Sequence, residues 1–324
     1  MTTDSTPVPL VPLVPSAADE GTHEPDDGLL WSESHYLDAV APDARTGVYV
    51  RLGRLPNQGR SHVMLAVVRP GAGPVVLADP DAPLPAVDGA DHLLVADAYR
   101  LSLGWDAPLR QLRVTARGTA AGFTAPEDAL GAASSEAGAA RPVTVELDLT
   151  WRTEGTPFRW RSQTRYEIPC RVSGQVTVDG ERTDVDWVGQ RDHSWGGRDW
   201  WSVDWNWLAV HLDDGSRWHA TAVPAYLPAG TGYFQRDGVV TELTAVSAES
   251  QFTPEGLFGA TTVRAEPGGH VLTLTPAAFA PVRLDSPDGR VSFFPRATCR
   301  VATADGRSGV GWLEWNLPRR DKDG

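Results

Sequence analysis

The sequence predicts an all-β fold, and three observations predict it. Apolar and polar residues alternate with period two over most of the chain, as half-buried strands require. Clusters of Gly, Pro and Asp (RPGAGP, DPDAPLP, SPDG, ADG) punctuate these runs at short intervals. No long segment carries the 3.6-residue period of an amphipathic helix. Many short strands with frequent turns imply antiparallel barrels or sandwiches. A length of 324 residues suits two β domains of ordinary size or one large one, and 41% hydrophobic content is enough for a core.

Residues 1–27 are rich in Pro, Ser, Thr and acid, and read as a disordered lead-in. Alternating runs follow at residues 47–52, 62–68 and 111–116. Residues 125–141 are small and low in complexity, and read as a flexible loop or insertion. In residues 143–151 the odd positions, Val143 to Trp151, are apolar and the even ones polar. Residues 158–166 read as one strand, with Phe158, Trp160 and Tyr166 on one face and Arg159, Arg161, Gln163 and Arg165 on a wet face. Further runs lie at 175–178, 270–274, 291–294 and 310–317, and residues 319–324 form a solvated tail.

Composition excludes several function classes. The formal net charge of -13 repels phosphate backbones and anionic lipid, so neither nucleic acid nor a membrane surface is an expected partner. Lys322 is the single lysine and lies in the polar tail, which argues against Schiff-base chemistry. Two cysteines, Cys170 and Cys299, make no disulfide framework or zinc set; they read as reduced and packed, though they could pair in space. The N-terminus has no basic segment before an apolar run, and no stretch approaches the ~20 apolar residues of a span. A cytoplasmic location is the expectation. GxSxG, GxGxxG and Walker patterns are missing, so serine hydrolysis, hydride transfer and ATP use lack support and no cofactor is expected.

The segment of residues 189–218, GQRDHSWGGRDWWSVDWNWLAVHLDDGSRW, concentrates the chemistry. Seven of the 13 tryptophans fall between Trp187 and Trp218. A two-residue turn at Asp214-Gly215 would pair His211 with Trp218. One face would then collect Trp205, Trp207, His211 and Trp218, and His219 would point the other way. That face suits a cavity floor, or a core whose histidine is satisfied. Upstream, Asp192, His193, Arg198 and Asp199 flank a Gly-Gly pair that permits a sharp turn. A carboxyl beside an imidazole and a guanidinium can be tuned as a general acid or base, or can serve as a buried polar staple. Zinc is a weaker reading, because Asp192, His193, His211 and His219 lack ligand spacing; the expected metal is none. Near the C-terminus Trp312, Glu314 and Asn316 share a strand face. WSESHY, with Tyr36, is polar and aromatic.

At these residues the sequence resembles the hydroxyneurosporene synthase (carotenoid hydratase) and AttH-like family. RDHSWGGRDW before a Trp-rich strand and DDG carries the likeness, with WSESHY, LPNQG and GWLEWN as flanking motifs like those of uncharacterised actinobacterial members. The resemblance implies two lipocalin-like (calycin-like) antiparallel β-barrel halves, related to tocopherol-cyclase-like proteins. Their expected bounds are 28–170 and 171–318. It matches Asp192, His193 and Trp195 to the motif centre. The motif continues as Arg198-Asp199-Trp200-Trp201, as in the uncharacterised relatives, so the resemblance does not imply carotenoid hydration itself. Two functions follow as expectations. One is a cofactor-independent hydratase or cyclase for a terpenoid, steroid or polyketide-like molecule. Asp192, alone or with His193, would donate the proton, and His211 or Glu314 would relay it. Trp195, Trp200, Trp201, Trp205, Trp207, Trp218, Trp312, Asn316 and Tyr36 would bind substrate. The other is a lipocalin-like carrier of a hydrophobic small molecule. Oligomeric state is left open.

Overall fold

The computed structural model describes residues 13–131, 140–226 and 229–319. Twelve strands come first: β1 (Trp31–Val40), β2 (Gly47–Leu55), β3 (Arg60–Val68), β4 (Val75–Ala82), β5 (Ala86–Asp88), β6 (Asp91–Val95), β7 (Tyr99–Ala107), β8 (Gln111–Gly122), β9 (Arg141–Thr153), β10 (Phe158–Arg159), β11 (Arg165–Val178) and β12 (Glu181–Gly197). Ten follow: β13 (Trp205–Leu212), β14 (Arg217–Ala222), β15 (Ala229–Arg236), β16 (Val239–Glu249), β17 (Thr261–Glu266), β18 (His270–Phe279), β19 (Val282–Asp285), β20 (Val291–Phe294), β21 (Arg296–Thr303) and β22 (Ser308–Pro318). The all-β expectation holds. No helix among the described residues is long and apolar enough to cross a membrane.

The strands close two antiparallel rings. In the first, β1 to β4 pair in series, β4 meets β8, and β8, β9, β11 and β12 lead back to β1. In the second, β13 to β18 pair in series and β18, β21 and β22 lead back to β13. Closure removes the open edges that a sheet of this size would otherwise expose. Alternation fills each interior. Leu37, Val50, Leu65, Val114, Leu149 and Val172 pack the first, and Leu208, Val210, Leu272, Val301 and Leu313 the second.

Three boundary expectations change. The chain leaves the first ring after β12, not at residue 170, because β11 and β12 supply the pairs that close it. The run at residues 158–166 is not one strand: β10 ends at Arg159 and β11 begins at Arg165. Residues 13–27 pack on the first ring. Glu20 is buried, and its carboxylate accepts from the Tyr166 hydroxyl and the Arg191 guanidinium, both at 2.7 Å. The buried Arg191 charge needs that counterion, which gives the segment a reason to dock. Residues 1–12 and 320–324 lie outside the described residues, as do 132–139 within the expected loop.

The rings meet through their outer faces. Tyr36, Tyr49 and Met64 of the first pack against Trp207, Phe294 and Trp312 of the second. The Trp312 indole donates to the Ala39 carbonyl at 3.1 Å. At Gly47 the approach is so close that a Cβ would fall 2.6 Å from Thr298 Cγ2, so a side chain there would wedge the rings apart.

Candidate functional site

Strand alternation decides which side chains reach the seam between the rings. On β12, Gln190, Asp192 and Ser194 face outward, whereas Arg191, His193 and Trp195 face the lumen of the first ring. Cross-strand register sets Glu167, Asp192, Tyr36, Arg51 and Met64 side by side on β11, β12, β1, β2 and β3. From the second ring, Thr221, Trp207, Glu314 and Arg296 form a matching row on β14, β13, β22 and β21. The rows enclose a cavity of about 320 Å³, rimmed by Gly197, Arg198, Asp199, Trp200 and Val203. Its size lies within the range of small-molecule sites. Trp200, Trp205, Trp207, Trp160 and Phe294 give it an aromatic wall.

The polar groups of the cavity are buried and unequally paired. Arg165 donates to Asp192 at 2.6 Å and to Glu167 at 2.7 Å. Burial pushes the Asp192 carboxyl up to about 8; Arg165, Arg51 and Arg198 pull against that, and Glu167 adds to it. The Tyr36 hydroxyl donates to Asp38 at 2.9 Å, and burial pushes Asp38 up to about 8 as well. Arg296 is ion-paired with Glu314 and lies 3.5 Å from the Tyr49 ring centroid. Arg51 lies 4.1 Å from the Trp200 ring centroid and makes no ion pair among the described residues. Burial lowers both Arg51 and Arg198 to about 10.

The structure brings Asp192, Arg198, Trp200, Trp205, Trp207, Glu314 and Tyr36 to the cavity, with Asp199 at its rim bonded to Arg290 at 3.0 Å. It takes others away. The DDG turn is a three-residue loop with Gly215 at φ +84, so His211 pairs with Arg217 and Val210 with Trp218. A one-residue slip exchanges the faces of the whole strand. Trp218 therefore sits in the core of the second ring against Phe234, and His219 joins the face of Trp207. His211 is buried off the cavity, and burial lowers it to about 3. Trp201 and Trp312 pack in the seam, with their indoles bonded to the Leu284 and Ala39 carbonyls. Asn316 ties the rim, donating to the Trp200 and Val203 carbonyls at 2.8 and 3.0 Å. The cavity also lies between the barrels, where a lumen was expected.

His193 and Trp195 belong to a different cluster, in the lumen. The His193 ring stacks on His35 at 4.0 Å, and its Nε2 lies 3.2 Å from Glu33. Glu33 is also bonded to Arg54 and to His23, which stacks on Trp195 at 3.7 Å. Among the described residues His23, Glu33 and His193 hold ligand atoms within 4.8 Å of one another, but the Arg54 cation shares the same carboxylate and disfavours a metal ion.

Residues 16–319 match the family described as Domain of unknown function (DUF7064). The chain belongs to the DUF7064 family. This DUF7064 protein matches no curated protein in sequence. Its fold resembles three solved structures. An AttH-like protein of Nitrosomonas europaea is 16% identical, with a TM-score of 0.64 over 94% of this chain and 99% of that one. CghA is 13% identical at 0.56, over 91% and 90%. Kievitone hydratase from Nectria haematococca is 11% identical at 0.55, over 97% and 94%. At these identities the likeness is one of fold. The expected kinship with AttH-like proteins stands at that level.

Sequence reasoning missed Arg51, Arg165, Glu167 and Arg296. Each lies beside buried strand positions and so reads as an outward, wet residue. The signal that could have found them is the arginine itself, placed mid-strand where its planar group can pair while buried.

Proposed function

We propose that this DUF7064 protein is a cofactor-independent lyase or isomerase, of hydratase or cyclase type. Its substrate would be a hydrophobic terpenoid, steroid or polyketide-like molecule, held in the cavity between the rings. One observation carries the reading: Asp192 is a buried carboxyl, raised toward neutrality, that opens on an aromatic-walled cavity. In its protonated form Asp192 transfers a proton to an alkene carbon, which leaves a carbocation and the Asp192 carboxylate. Attack by water and return of a proton to Asp192 adds one water overall. Attack by a second alkene, then loss of a proton to Asp192, closes a ring without change of mass. The faces of Trp205, Trp207 and Trp200 would steady the cation. The shared fold with a protein named kievitone hydratase supports the reaction class. A cytoplasmic site of action is part of the proposal.

The second reading is a carrier. The hydrogen bond from Arg165 to Asp192 favours it, because a carrier needs the aromatic wall and only a structural role for the acid. Native mass spectrometry of protein purified from its host tests both. An enzyme converts the retained ligand, with gain of one water or none, and Asp192→Asn binds without converting. A ligand returned unchanged by the wild type leaves only the carrier.

A further inference from the structure

We infer that the cavity seats a carboxylate, carried by an otherwise apolar substrate, between Arg51 and Arg296. The inference rests on the cavity being the substrate site. Arg51 is buried with no ion pair among the described residues, and its Nη1 has no hydrogen-bond acceptor among them. Arg296 is buried too; it gives Nη2 to Glu314 and leaves Nε and Nη1 without acceptors. Both side chains line the cavity. A buried guanidinium without acceptors is costly, and persists most readily where a ligand supplies the missing anion. Gly53 is part of the arrangement: a Cβ there would lie 3.0 Å from Arg51 Nη1, so its absence leaves the guanidinium room.

The local charge points the same way. Glu167 offsets Arg165, and Glu314 offsets Arg296. Arg198 bonds the Gln163 amide and the Thr164 carbonyl, neither of them an anion, and Asp199 is committed to Arg290. Asp192, raised as it is, adds little negative charge near neutral pH. The cavity lining is thus positive inside a chain whose formal net charge is -13. A field of that sign opposes a carbocation, so a carboxylate head would also neutralise the site before the cation forms. The Arg51 guanidinium, which lines the cavity and has no carboxylate of its own among the described residues, matches the planar acceptor pair of a carboxylate, with the Arg296 charge beside the same cavity.

Matched probes test this: dodecanoate, dodecanol and dodecylamine, with binding read by tryptophan quenching of the full chain. The expected order is acid over alcohol by roughly 10-fold or more, with the amine weakest. Arg51→Gln should bring the acid down to the alcohol's affinity, and Arg51→Lys should keep part of the preference. Thermal melts check that both variants fold. Equal binding of acid and alcohol, an acid preference that survives Arg51→Gln, or binding of none of the three overturns the seat. The two proposals fail separately. If Asp192→Asn retains turnover, acid catalysis fails and the seat stands; if the alcohol binds as well as the acid, the seat fails and the cavity stands as the substrate site.

Discussion

Asp192 and His193 are neighbours in sequence and serve different regions. One faces the seam between the rings, the other the lumen of the first ring. Both regions are buried and rich in charge. In the lumen each charge has an opposite partner: Arg54 with Glu33, and Arg191 with Glu20. In the cavity Arg51 has none among the described residues, and open space lies beside it. Ion-paired, a buried polar cluster ties chain segments together. Unpaired beside a void, it awaits a ligand. The lumen arginines also keep unbonded nitrogens, so what separates the two regions is the carboxylate that each lumen arginine has and Arg51 lacks among the described residues.

The largest expected contrast is between those two neighbours. Asp192→Asn should cut turnover of a converted ligand by about 10²–10⁴-fold while binding persists. His193→Leu should leave turnover near wild type and cost roughly 1–3 kcal/mol of stability, because buried Glu33 loses a donor. Steady-state kinetics and urea unfolding of both variants check this. The reverse pattern would place the chemistry in the lumen.

Next is a pair of charge deletions with opposite signs. Glu20→Ala strands the buried Arg191 and should cost about 3–5 kcal/mol in urea unfolding. Arg51→Met removes a charge that has no partner and should stabilise the ligand-free protein by on the order of 1 kcal/mol. A loss of stability from Arg51→Met would mean that a hidden partner exists.

The sequence made the strands legible, and with them the choice of Asp192, Trp205, Trp207 and Glu314, because period-two alternation is local. It misplaced Trp218 because a three-residue loop and a two-residue loop share the letters DDG, and the one-residue difference reverses the face of β14; His211 keeps the face of Trp207 but lies four residues farther along β13, away from the cavity. It joined Asp192 to His193 because adjacency in sequence hides alternation in space. It missed Arg51 and Arg296 because one chain's pattern marks an outward face without saying that a second barrel covers it. The docking of Glu20 was equally hidden, since an acid in a Pro-rich lead-in carries no mark of its buried partner.

The pH response should also differ in sign between the regions. Asp192 and Asp38 sit near 8 in the folded chain against an ordinary value of 3.8, so the native state holds protons that the unfolded chain has lost. Their contribution to stability is whole below the ordinary value and is lost as pH rises through about 8. Turnover that needs protonated Asp192 falls over the same limb. In the lumen burial pushes Glu33 upward, but the His193 and His23 hydrogen bonds and Arg54 outweigh it and hold it well below its ordinary 4.5. Burial lowers His92 to about 4 and holds His35 well below 6.5. These contributions are whole above the ordinary values and are lost as pH falls. Acid should therefore loosen the lumen and free residues 13–27 to hydrogen exchange, while a rise in pH from about 4 to about 8 weakens the cavity side. Uniform exchange protection of residues 13–27 between pH 4 and 8 would contradict the assignment.

The smallest contrast separates two tryptophans that the sequence put on one face. Trp205 borders the cavity, edge to face with Phe294 at 5.9 Å. Trp218 is buried in the second ring between Phe234 and His270, each 4.6 Å away. Trp205→Phe keeps an aromatic face but shortens it, and should weaken dodecanoate binding by about threefold, or roughly 0.6 kcal/mol. Trp218→Phe leaves a void in a closed barrel and should cost roughly 1–2 kcal/mol of stability with affinity unchanged. Fluorescence titration and urea unfolding of the two variants give four numbers. If Trp218→Phe shifts affinity as much as Trp205→Phe does, the second barrel's core is coupled to the cavity, and the division between packing and binding faces on β13 and β14 no longer holds.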